Sequence, residues 1–318
     1  MVHRLFPRLA YLGMRLAIEL GWLAVKIFPR RFLFSFSESI ANVGFHLFGS
    51  FRKRCINNLS VALGEQLESQ EISAVVRKSL RNFFRDFIEI GLALEASPKD
   101  IRAEIPLYGR AHLAAALARG KGVIALSAHL GNFFMVGSRL AVEGFPVHVL
   151  VNQPQDARFA EFMDRLRLHV WQKTIHARPR RRASQELLQL LRRNEVAVVI
   201  ADEFRSGTGI YVPFFGRTVL ARRGPATLAL RSGAAVIPIY MVRDSGGGLT
   251  LVIEPEMELV KASGRQAEVK ENTLRITQWL ERTVRTYPDQ WNWMNIHWKE
   301  SSPGVLLEKK HAAKESMA

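Results

Sequence analysis

Val123-Ile124-Ala125-Leu126-Ser127-Ala128-His129-Leu130-Gly131-Asn132-Phe133-Phe134 is the stretch on which the fold turns. Its four leading apolar residues follow Gly120-Lys121-Gly122 and show no apolar–polar alternation, the pattern of a short strand buried in a sheet. A histidine just past that strand, then a glycine and a new helical segment, lies at the carboxyl end of a strand, where α/β proteins bind ligands. Imidazole is a general base near neutral pH. Gly131 allows close backbone approach at a helix N-terminus, where N–H groups can hold an oxyanion. On its own the segment fits a structural histidine at least as well.

Outward from it, Val147–Val151, Val196–Ile200, Val236–Val242 and Leu249–Ile253 also read as strands. Helical spacing predicts helices over 70–95, 157–170, 184–193, 225–231 and 268–287, and residues 1–50 read as helical and apolar. Helices alternating with buried strands give an α/β fold with a mostly parallel central sheet flanked by helices. The expected organisation is an N-terminal membrane-associated segment over 1–50, one main domain over 51–300, and a disordered charged tail over 301–318.

The 318 residues are 48% apolar, enough for a sizeable core. Forty-five Lys and Arg against 29 Asp and Glu give a net charge of +16, which favours an anionic partner: nucleic acid, anionic lipid or a phosphorylated substrate. No helix-turn-helix, zinc-finger or RNA-recognition motif occurs, so no nucleic-acid partner is expected. The single cysteine, Cys55, excludes an internal disulfide. No Cys/His cluster has zinc spacing and no phosphate-binding glycine loop is present, so no metal or cofactor is expected.

Leu9 to Phe28 is apolar but interrupted by Arg15, Glu19 and Lys26. Arg4, Arg8 and Arg15 lead into it and Arg30-Arg31 follow, with Trp22 and Phe28 inside. That arrangement suits a single-pass or monotopic anchor with snorkelling cations; an ordinary core helix is the competing reading.

Four ordered blocks carry a resemblance. The His129 segment is similar to the His-x-Gly-Asn-Trp-Glu motif of the bacterial lipid A lauroyl and myristoyl acyltransferases, a form of the HxxxxD/E signature of the lysophospholipid acyltransferase superfamily. Asp202-Glu203 with Val212-Pro213-Phe214-Phe215-Gly216 resembles that family's Asp-Gln…Val-Pro-Phe-Phe-Gly block. Ser232-Gly233-Ala234-Ala235-Val236-Ile237-Pro238 and Tyr287-Pro288-Asp289-Gln290-Trp291-Asn292-Trp293 with Trp298-Lys299 resemble two more. The resemblance implies transfer of an acyl chain from an acyl carrier protein or coenzyme A thioester to a hydroxyl of a lipid A precursor, at the cytoplasmic face of the inner membrane. His129 would take the proton of that hydroxyl, N–H groups near Gly131 and Asn132 would hold the oxyanion, and no cofactor is needed. Acyl carrier protein, an anionic lipid acceptor and the membrane surface are the expected partners. An acceptor of another class, a lysophospholipid or glycolipid, also fits.

Two departures stand out. Where the family carries its carboxylate, this chain has Phe134, and no acid lies between Asn132 and Val142. The loss admits three readings. Another carboxylate, Asp202 or Glu203, orients His129 across the fold; or His129 works held by backbone or Asn132; or acyl transfer is gone and the fold binds lipid or a partner. Second, Asn152-Gln153-Pro154 stands where the family often has Arg-Pro, which leaves Arg158 or Arg165 to supply a substrate contact.

Arg178, Arg180, Arg181 and Arg182, and the pair Arg222-Arg223, suit phosphate or an acidic carrier, with a solvated face as the plain alternative. Asp202, Glu203, Arg222, Arg223 and Arg158 are therefore the expected substrate-binding residues. Trp291, Trp293 and Trp298 suit either a membrane interface or packing beneath the site.

Overall fold

The computed structural model of the chain describes residues 2–154, 156–204, 209–294, 296 and 298, with side chains from Tyr11 onward. The Ser206-Gly207-Thr208 part of the glycine-rich loop, Lys299 and the tail from Ser301 lie outside the described residues, as do the side chains of Arg4 and Arg8.

Two helices open the chain, α1 (Val2–Ile27) and α2 (Arg30–Leu47), parted at Phe28-Pro29 because a residue before proline is driven to extended backbone. Then come α3 (Gly49–Leu63) and α4 (Ser69–Ala93), the latter opened by reciprocal hydrogen bonds between Glu68 and Glu71 that satisfy first-turn N–H groups. A short α5 (Pro98–Glu104) has the same device at Ser97 and Asp100, with proline at its first position.

The remaining elements alternate. They are β1 (Leu107–Tyr108), α6 (Arg110–Leu117), β2 (Val123–Ser127), α7 (Phe134–Val142), β3 (Val147–Val151), α8 (Ala157–His169), β4 (Lys173–His176), α9 (Arg180–Arg192) and β5 (Val196–Ile200). A hairpin of β6 (Ile210–Phe214) and β7 (Arg217–Ala221) follows, then α10 (Gly224–Ser232), β8 (Ala235–Arg243), β9 (Leu249–Ile253) and α11 (Arg265–Thr286). The main sheet runs β1-β9-β8-β2-β5-β3-β4, every neighbouring pair parallel except β8 with β9. The expected α/β class with a mostly parallel sheet is what the chain forms.

The central strands are apolar at all but their last positions, Ser127 in β2 and Arg243 in β8, because both faces are covered. In β2, Ile124 and Leu126 belong to the core on one side and Val123 and Ala125 to the core on the other. In β5, Ala197 and Val199 divide from Val196 and Val198 in the same way. The period of two is present, but both phases are hydrophobic.

Among the described residues no helix is long and apolar enough to cross a membrane; Arg15, Glu19 and Lys26 break the apolar run of α1. Of the two readings of the aromatic block, packing beneath the site is the one the chain adopts. Trp291 and Trp293 are 2% and 1% exposed, and Trp298 packs on the same core, its Nε1 donating to Asn58 Oδ1 at 3.0 Å. These rings pack beneath the site and do not face a membrane.

Candidate active site

β2 and β5 are parallel neighbours, with Ser127 opposite Ile200 and the Ala201 N–H donating to the Ser127 carbonyl at 2.9 Å. Two residues beyond that last pair, each strand delivers one side chain to the same point: His129 from β2 and Asp202 from β5. His129 Nδ1 lies 2.7 Å from Asp202 Oδ1. The other carboxylate oxygen accepts the His129 backbone N–H at 2.8 Å and the Trp291 indole N–H at 2.7 Å.

Asp202 is 4% exposed. Burial alone would raise its carboxyl, but the His129 ring, its hydrogen bonds and Trp291 outweigh burial and hold it below the usual carboxylate range. An ionised carboxylate on Nδ1 makes that nitrogen the proton carrier and places base chemistry at Nε2, across the ring. Of the two roles expected of Asp202, substrate contact and orientation of His129 across the fold, the geometry fits the second. Both its oxygens are engaged inside the protein, so it orients His129 instead of touching a substrate.

The backbone around His129 is fixed by the segment after α11. Leu130 bridges to Trp291, the Asn292 N–H donates to the His129 carbonyl at 3.3 Å, and the Gly131 N–H donates to the Gln290 carbonyl at 2.8 Å. Gly131 has φ +51°, and a Cβ there would sit 2.3 Å from the Met241 carbonyl oxygen, so no side chain fits. Its N–H, expected to hold an oxyanion, is spent on Gln290. Asn132 is likewise turned from the imidazole: it is 1% exposed and its side-chain amide donates to Glu89 Oε2 on α4 at 2.9 Å.

Phe134 does not face His129. The ring against the imidazole is Phe133, with centroids 4.7 Å apart at 72°. Phe134 opens α7, and one residue of helical rotation, about 100°, turns it away from the imidazole. There it joins the second core beneath Arg167, whose guanidinium lies 4.6 Å from the ring centroid.

Glu203 accepts the Asn152 side-chain amide at 2.7 Å and stands 3.9 Å from Arg222. Arg223 is exposed before α10. Arg158 is taken up by Asp156 at 2.7 Å and by the Tyr11 ring at 4.7 Å. None of these four lines the pocket at His129. That pocket is mostly apolar, bounded by Phe51 and Cys55 of α3, by Leu80 and Phe83 of α4, and by Phe133 and Trp293.

The sequence reading missed Trp291 as a donor to Asp202, and it missed the α4 acids Asp86 and Glu89, which meet Arg243 at the end of β8. The available signals were an indole in a motif block and two carboxylates three residues apart on a helical face that also carries Ser79 and Asn82.

The family model of the bacterial lipid A biosynthesis acyltransferases matches residues 3–300. A phosphatidylinositol mannoside acyltransferase of Mycolicibacterium smegmatis is 28% identical over 191 residues, 59% of this chain and 60% of that protein. A protein of the same name from Mycobacterium tuberculosis is 27% identical over 194 residues, covering 60% and 58%. A lipid A biosynthesis acyltransferase of Haemophilus influenzae is 23% identical over 244 residues, covering 76% and 74%. The matched region thus spans about 60% of the length of the mycobacterial relatives.

Proposed function

Because the chain belongs to the family of bacterial lipid A biosynthesis acyltransferases, we propose that it transfers a fatty acyl chain from a thioester to a hydroxyl of a lipid A precursor. The observation that carries this reading is the His129–Asp202 pair at an apolar pocket. The acceptor hydroxyl gives its proton to His129 Nε2 as its oxygen attacks the thioester carbonyl. The carbonyl carbon forms the new ester bond, the carbon–sulfur bond breaks, and the thiolate leaves, taking the proton back from the imidazolium. Asp202 stabilises that imidazolium. The acyl tail lies along the pocket between α3 and α4. The donor is acyl carrier protein or coenzyme A in its acylated form, and the reaction takes place at the cytoplasmic face of the inner membrane, on whose surface the protein sits.

The mycobacterial relatives favour a second acceptor, a mannosylated phosphoinositide. Purified full-length protein offered both acceptors, with matched acyl-carrier and acyl-coenzyme A donors, separates the readings by product mass. Transfer to the lipid A precursor, lost in His129→Ala with the melting temperature kept, is the expected result. Transfer to the phosphoinositide alone replaces the acceptor. Turnover unchanged in His129→Ala removes the mechanism.

A further inference from the structure

α4 reaches the reactive turn through charge. The Asn132 amide donates to Glu89 Oε2 at 2.9 Å and to the Asp86 backbone carbonyl at 3.3 Å. Glu89 also accepts both terminal nitrogens of Arg243, Nη2 at 2.9 Å, and Arg85 Nε at 3.3 Å; Asp86 Oδ1 accepts Arg243 Nη2 at 2.7 Å. Arg243 is 8% exposed and closes β8. Its backbone exchanges two hydrogen bonds with the Gln290 side chain, N–H to Oε1 at 2.7 Å and carbonyl from Nε2 at 2.8 Å. The Gln290 carbonyl takes the Gly131 N–H. The circuit closes: Asn132 to Glu89, Glu89 to Arg243, Arg243 to Gln290, Gln290 to Gly131, which is next to Asn132.

Such a cluster is a poor way to attach a helix. Desolvating two carboxylates and a guanidinium costs about as much as their attraction returns, and an apolar contact of the same volume often holds as well. What the charges add is direction. Two consecutive residues of the turn that carries His129 and Phe133 are tied by separate routes to one residue, Asn132 through Glu89 to the Arg243 guanidinium and Gly131 through Gln290 to the Arg243 main chain.

Resting on the acyl-transfer reading above, we propose that Glu89 is a positioning residue for His129, fixing the Gly131-Asn132 turn through Asn132 on one side and through Arg243 and Gln290 on the other. Glu89 touches no reacting atom; it sets where the imidazole and the Phe133 ring stand at the pocket.

The test is a cycle in the full-length protein: Glu89→Gln, Glu89→Ala, Asn132→Ala and the double Glu89→Ala/Asn132→Ala. Glutamine keeps an oxygen for Asn132 but no charge for Arg243. Expected is a kcat loss of about tenfold or more in Glu89→Ala with KM within about twofold, a smaller loss in Glu89→Gln, and a double variant no slower than Glu89→Ala. Losses that multiply in the double variant, or wild-type kcat in both Glu89 variants, overturn the proposal. Amide hydrogen exchange supplies a readout without turnover. Faster exchange in 128–135 with α4 unchanged supports positioning, whereas faster exchange confined to α4 means that Glu89 only holds its own helix. If the wild type is inactive with every donor while exchange behaves as expected, the acyl-transfer reading fails and the positioning of the turn stands.

Discussion

A phenyl ring beneath a half-buried guanidinium is the plainest single-residue departure in this chain. Burial pushes Arg167 down to about 10, and its neighbours there are the Phe134 ring and Gln172, whose side-chain oxygen accepts its Nη1 at 2.7 Å. A carboxylate at 134 would meet Arg167, not His129. Phe134→Glu is therefore expected to leave kcat no higher than wild type while the melting temperature holds, since the new charge finds a partner. A rise in kcat would show that residue 134 reaches the imidazole after all. The relay rests on Asp202. Asp202→Asn keeps size and shape but offers His129 Nδ1 an amide, which favours the wrong tautomer. By analogy with the serine proteases, kcat should fall roughly 10²–10⁴-fold with KM little altered. Kinetics on a folded variant with kcat near wild type would return the site to a lone histidine.

Elements were legible where burial writes itself into consecutive residues. β3, β5 and β9 have the bounds expected of apolar runs, and β2 and β8 grow only by a residue or two at their ends. α9 begins at Arg180, a turn before the expected Ser184, because arginine is a good helix former and Pro179 opens the helix without cost. α3 was hidden by Arg52-Lys53-Arg54 and Asn57-Asn58, and the β6–β7 hairpin by Pro213 on its edge. The site was half legible. His129 is a property of one segment, but its pairing with Asp202 depends on β5 lying beside β2, a non-local fact set by the crossover order.

α4 also carries a pH-sensitive group that no motif marks. Burial pushes Asp86 up to about 8, with Glu89 adding to the rise and Arg243 and Arg85 opposing it. A carboxyl raised on folding binds more protons in the native than in the unfolded chain, so stability falls as pH rises between about 4 and 8. Asp86→Asn should flatten that slope in melting curves taken across the window. An unchanged slope would assign it to other groups.

At the scale of the whole molecule, most of the exposed large apolar residues fall on three helices. Leu12, Leu16, Leu20, Leu23 and Ile27 lie on α1. Phe28, Phe32, Phe36, Ile40, Val43, Leu47 and Phe48 follow along and beside α2, and Phe83 and Phe87 lie on α4. Phe28, Phe32 and Phe36 stack in a row with centroids 4.9 and 6.2 Å apart. A soluble surface seldom leaves so many contiguous apolar side chains in water, and Phe83 is at once 43% exposed and a wall of the His129 pocket. With no helix among the described residues able to span and a net charge of +16, the arrangement suits the proposed seat on an anionic bilayer. Full-length protein should sediment with phosphatidylglycerol vesicles and be released only in part by high salt, because salt screens the charges and leaves the apolar contact. Replacing Phe32, Phe36 and Leu47 by Ser removes three exposed side chains that the bilayer would bury at about 1.5 kcal/mol each, a roughly 10³-fold loss of vesicle affinity. Their exposure means that the fold should not notice. Complete release of the wild type by salt would make the attraction purely electrostatic, and equal binding by the triple variant would move the contact surface away from α2.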